Sequence, residues 1–107
     1  MNTNPVERRN EPRFKIKAVA RMKVGGRRRS LPARITNVSD HGLGLQAPLW
    51  LCVPGEVIRV RVRRQAIWGT LKHWQPAGSE ILAGLELKRA LNDEQMKALL
   101  AEFVADL

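Results

Sequence analysis

From Phe14 onward, apolar and polar side chains alternate. Ala18, Ala20, Met22 and Val24 interleave with Lys17, Val19, Arg21 and Lys23, and a period of two marks a strand with one buried face. Gly25-Gly26 supplies the positive φ of a tight turn, and a second strand is expected over Ala33 to Val38. Ser39-Asp40-His41-Gly42 breaks the alternation, and Leu43 to Gln46 resumes it. Past a Pro54-Gly55 turn, Ile58, Val60 and Val62 alternate with Arg59, Arg61 and Arg63, the clearest strand in the chain. Ala66 to Trp74 and Ile81 to Leu87 follow, separated by Pro76-Ala77-Gly78-Ser79. About six short strands with punctuated turns imply a mainly β domain, a small barrel or a sandwich.

Both ends depart from this pattern. Residues 1–12 are almost devoid of apolar side chains and hold two prolines; they bury too little to offset ordering and are expected to be a flexible arm. At the other end Met96, Leu99, Leu100, Phe103, Val104 and Leu107 recur at helical spacing, one apolar stripe of a helix over 92–106. Asn92 suits its N-cap, Gln95 the return position of a capping box, and Leu91 with Met96 a hydrophobic staple. Such a helix either packs on the barrel or binds a partner. Its polar face carries Glu94, Glu102 and Asp106 against Lys97 alone, which disfavours anionic lipid. The domain proper is thus expected over 13–107.

Composition narrows the class. A chain of 107 residues allows one compact domain. No apolar run nears the ~20 residues that cross a bilayer, and no signal-peptide core follows the polar start. The single cysteine, Cys52, excludes a disulfide framework and fits a reducing cytoplasm. Charge changes the picture more. Residues 1–34 hold eleven Lys or Arg against Glu7 and Glu11, while residues 35–107 hold eight of each sign, so the whole +9 sits in the first third. That asymmetry suits either an anionic partner or a solubilising basic tail.

Catalysis finds little support. His41 and His73 are the only histidines and stand in no metal-ligand spacing. No Walker-type phosphate loop is present, so neither catalytic nor metal-binding residues are expected. Two short constellations remain. Arg9-Asn10-Glu11-Pro12-Arg13 is an RxxxR preceded by Arg8; arginine offers a planar fork that can clamp a guanine edge and a phosphate. Asn37-Val38-Ser39-Asp40-His41-Gly42 is an NxSxxG at the end of a strand, where the glycine permits positive φ or a close backbone approach.

In this order the two motifs resemble the signature of the PilZ domain family, and Gly84-Leu85-Glu86-Leu87 resembles its last strand. The resemblance implies a six-stranded antiparallel β-barrel with a C-terminal helix, and binding of cyclic di-GMP. It also implies roles. Arg9 and Arg13 would contact guanine edges and phosphates; Asn37 and Ser39 would hydrogen-bond a guanine; Gly42 would give it room. Position 37 is Asn rather than Asp, which keeps the acceptor oxygen and loses the carboxylate charge. Arg8, an arginine just before RxxxR, implies an intercalated ligand dimer, two molecules per chain. In 107 residues no output domain is expected beside such a receptor, so its signal would pass to a separate effector protein; a cytoplasmic location, no cofactor and no membrane insertion are expected.

Several residues stay open. Trp74 either stacks on a guanine or, like Trp68, packs the barrel. Arg27-Arg28-Arg29 reads as a solvated turn, and Arg59, Arg61 and Arg63 share one face that is either a second anionic contact or an exposed polar surface. A basic barrel that binds RNA or DNA is the competing reading; five aromatics and no Tyr leave it without an obvious stacking platform. A nucleotide-free adaptor is a third, and the two motifs count against it.

Overall fold

All six expected strands form, most of them reaching past the alternating run that marks them. The structure is a computed structural model and describes residues 13–48 and 53–105. The expected 1–12 arm and Cys52 lie outside those residues. In chain order the elements are β1 (Phe14–Val24), β2 (Leu31–Ser39), β3 (Gly42–Pro48), β4 (Val57–Val62), β5 (Gln65–Ala77), β6 (Glu80–Leu87) and α1 (Asp93–Ala105).

The strands close into an antiparallel barrel in the order β1-β2-β3-β6-β5-β4, with β4 pairing back onto β1. Closure gives every strand two neighbours, with β4 pairing to the Arg21–Val24 end of β1, and it bears out the barrel that the resemblance implied. Inward positions carry the apolar half of each alternation: Met22, Ile35, Leu45, Ile58, Leu71 and Ile81 are all fully buried. Gly25 (φ 57°) turns the chain after β1, and Gly78 (φ 67°) makes the β5–β6 connection tighter than the Pro76–Ser79 turn expected.

Three register shifts interrupt the ladders. One lies in β1 between Lys15 and Ala18, one in β2 at Thr36, and one in β5 at Lys72. In β2 and β5 the extra residue breaks the alternation of buried and exposed side chains, whereas in β1 the alternation runs on unbroken. Ile35 and Val38 therefore both point inward, and Thr36 and Asn37 between them are only half-buried.

Helix α1 packs against β1 and β5. Leu99 is completely buried there, with Leu91, Met96 and Leu100 packed around the core. Its start is the expected capping box: Gln95 N donates to Asn92 Oδ1 at 2.8 Å, and Asn92 N donates to Gln95 Oε1 at 3.0 Å. Gln95 Nε2 also donates to Ala66 O at 3.1 Å, fastening the helix start to β5. Asn92→Ala should thus cost about 1 kcal/mol, read as a lower midpoint in thermal unfolding. An unchanged midpoint would mean that the cap is redundant with the docking of α1. Among the described residues, no helix is long and apolar enough to cross a membrane.

Candidate functional site

The bulges of β2 and β5 shape the outer wall of β2, β3, β6 and β5. Cross-strand pairing sets Asn37, Gly44, Gly84 and His73 side by side in one row across these four strands. The two central members lack side chains, so the wall is flat there. From either flank the neighbouring side chain folds over it: the Asn37 amide lies where a Gly44 Cβ would stand, and the His73 ring where a Gly84 Cβ would stand. The result is an open groove of about 580 Å³ floored by two glycines, within the usual range for small-molecule sites.

Its near side is built by the strands that carry the asparagine motif. Arg13 Nη1 donates to Asn37 Oδ1 at 3.4 Å, and Asn37 Nδ2 donates to Thr36 Oγ1 at 3.4 Å. The Asn37 oxygen thus faces the arginine and retains a second lone pair for a ligand donor. Ser39 ends β2 and Gly42 opens β3 as a cross-strand pair, making Asp40-His41 a two-residue hairpin connection. Gly42 is a close-approach glycine: a Cβ there would meet Ser39 Oγ at 3.3 Å and Leu85 O at 3.5 Å. Ser39 is nearly buried and belongs to the groove wall. Backbone bonds hold the hairpin in place, Leu87 N to His41 O at 2.9 Å and Leu91 N to Asp40 O at 3.0 Å.

The far side brings in residues that the sequence motifs did not mark. Lys72 and His73 both line the groove, and Lys72 Nζ pairs with Glu86 Oε1 at 3.2 Å with both side chains more than half exposed, an ion pair that is weak in water. The sequence signal was the failing alternation after Leu71, where Lys72 and His73 are successively exposed.

Of the expected site residues, Arg13, Asn37, Ser39 and Gly42 all line this one groove. Arg8 and Arg9 lie outside the described residues. Trp74 does not line the groove: the bulge at Lys72 turns His73 outward, so Trp74 falls in phase with the buried Ala83 and is 38% exposed. Trp68 is not barrel packing, being 60% exposed on the outer face with Arg59 Cζ 5.8 Å from its ring centroid. Arg59 and Arg61 do share a face of β4, whereas Arg63 stands in the turn beyond it at φ 54°. Among the described residues, no three His, Cys, Asp or Glu side chains gather as a metal site would require.

The class of domain is thus a closed six-stranded antiparallel barrel with a cation-edged groove in its outer wall. The family model of the PilZ domain matches residues 7–106, and the chain belongs to the PilZ domain family. Among solved structures, the Bacillus subtilis inhibitor of motility, MotI/DgrA, is similar in fold, with a TM-score of 0.59 and 10% identity over 90% of this chain and 50% of that one. The chain therefore spans about half the length of that protein. No curated protein matches the sequence.

Proposed function

We propose that the protein is a cyclic di-GMP receptor that relays ligand binding to a separate effector protein. The observation that carries this reading is the convergence of Arg13, Asn37, Ser39 and Gly42 on one groove, together with membership of the PilZ family. A ligand with two guanines and two phosphates needs cations that also read base edges, and arginine does both. Asn37 and Ser39 hydrogen-bond a guanine lying on the glycine floor, and Arg13 and Arg9 clamp its edge and a phosphate. Arg8 holds a second, intercalated ligand. Lys72 and His73 close the far side on the ligand.

Ordering an arm over the barrel costs about 2–5 kcal/mol, while ~1 μM affinity is worth about −8 kcal/mol. Several contacts must therefore act together, and ligand binding becomes an order–disorder switch that makes a new surface for the effector. The protein works as a cytoplasmic binding module, without catalysis or cofactor.

Titration calorimetry of the purified chain with cyclic di-GMP, GMP and a short single-stranded RNA tests the reading. It expects saturable cyclic di-GMP binding near ~1 μM with two ligands per chain, and none of this with GMP. Salt-sensitive RNA binding without cyclic di-GMP heat would replace it with a nucleic-acid-binding barrel. The glycine floor gives a separate prediction. Gly44→Ala pushes the Asn37 side chain away from its place; being the end of a flexible side chain, it can swing aside at little cost to the fold. Affinity for cyclic di-GMP should fall about tenfold with the thermal midpoint nearly unchanged.

A further inference from the structure

The wall formed by β1 and β4 has a charge arrangement that the barrel itself does not explain. Arg21 of β1 pairs directly with Arg61 of β4, and Lys23 with Arg59. Like charges set opposite each other on one face of a sheet are destabilising. The second row runs on to Trp68 beside Arg59, the first is flanked by Pro32 and Ala66, and the next outward-facing pair along β1 is Val19 with Arg34; none of these positions is a carboxylate. Arg21 is held toward the β1–β2 connection by Ser30, through Nε to Oγ at 3.0 Å and Nη2 to the carbonyl at 3.2 Å. Lys23, Arg34, Arg59 and Arg61 make no ion pair among the described residues.

The same wall exposes apolar groups: Val19 is 74% exposed, Trp68 60% and Val57 49%. Beside Trp68, and running to Lys88, Arg89 and the start of α1, lies a second groove of about 630 Å³. Arginine and tryptophan interspersed with aliphatic side chains make the composition of a protein interface core. A nucleic acid strand would find one exposed aromatic to stack on here rather than a series, and no use for Val19 and Val57. Carboxylates, by contrast, match the arginine fork.

We propose that the β1–β4–β5 wall, centred on Arg21, Arg59, Arg61 and Trp68, is the docking surface for an acidic segment of a partner protein that also carries aliphatic or aromatic side chains. The partner's carboxylates relieve the cross-strand repulsion, and its apolar groups cover Trp68, Val19 and Val57. The surface shares β5 with the groove but uses Trp68 where the groove uses Lys72 and His73, and it does not depend on which ligand the groove takes.

Fluorescence anisotropy with three labelled probes tests this: a short peptide alternating Glu with Leu and Phe, an all-Glu peptide of equal length, and oligothymidylate. The mixed peptide should bind the full chain more tightly than the other two. Arg59→Glu/Arg61→Glu should weaken it at least about tenfold and Trp68→Ala at least about threefold. The double variant places acids opposite Arg21 and Lys23, so its thermal midpoint should hold or rise, and its groove should titrate as in the parent chain. Arg59→Gln/Arg61→Gln provides a neutral check. Absence of mixed-peptide binding overturns the proposal. So does equal affinity for the all-Glu peptide with no effect of Trp68→Ala, and tighter, arginine-dependent binding of oligothymidylate would make the surface a nucleic-acid interface instead.

Discussion

Replacing Leu99 with alanine should lower the thermal midpoint by roughly 10–20 °C, the equivalent of about 2–5 kcal/mol. Leu99 has no exposed surface and is the deepest point at which α1 enters the core, against strands β1 and β5. A helix of 13 residues is marginal on its own in water, so α1 persists because Ala98 and Leu99 are buried against the barrel. Truncation removes that burial and leaves a cavity the barrel cannot fill, since the surrounding strands are fixed by closed ladders. Against a total stability of ~5–15 kcal/mol for a domain of this kind, the loss is large. Circular dichroism during thermal unfolding reads it. A shift of only a degree or two would mean that α1 contributes little to the fold, and that its packing on the barrel is dispensable. The groove lies mainly on β2, β3, β6 and β5, so the variant, held well below its midpoint, should still titrate with cyclic di-GMP nearly as the parent does.

Alternation along the chain was enough to place every strand, because each one buries a single face and its periodicity survives in the sequence. It could not show closure. Whether β4 pairs back onto β1 depends on twist and tilt accumulated over six strands, which no local pattern carries; alternation alone left the sandwich open, and the barrel came from the resemblance to the PilZ family, which the ladders bear out. The capping box was legible to the atom, since Asn92 and Gln95 act within one turn of each other.

The groove was half legible. Arg13, Asn37, Ser39 and Gly42 sit in motifs, but the far side depends on a bulge, one extra residue at Lys72 whose sole trace in the sequence is the broken alternation at Lys72-His73. That slip puts His73 over Gly84 and carries Trp74 away from the groove's lining. An unbroken period of two would instead have put Lys72 and Trp74 outward. The arginines of β4 were visible as a face, yet their like-charged partners Arg21 and Lys23 come from a strand more than thirty residues earlier. Only the register brings them together.

Arg13→Ala should weaken cyclic di-GMP binding at least about tenfold, and Arg9→Ala by a similar factor, since a bidentate arginine on a guanine edge carries about 1–3 kcal/mol of recognition. Removing both should push a ~1 μM complex beyond ~100 μM, and the titration heat should disappear at practical concentrations. Neither loss can be blamed on unfolding if the midpoint holds. For Arg13 it should, because the side chain is exposed and its contact with Asn37 is long, 3.4 Å. Arg13→Lys separates charge from geometry: lysine keeps the cation for a phosphate but has no planar fork for a base edge, so it should restore little of the affinity. A full rescue by lysine would assign Arg13 to the phosphates alone. Parent-like binding by Arg13→Ala would remove it from the site altogether. A double-mutant cycle with Asn37→Ala adds a geometric check. If the two side chains hold the same guanine from adjacent positions, their losses should fall short of additive, since once one is gone the other has lost part of the ligand pose it was reading.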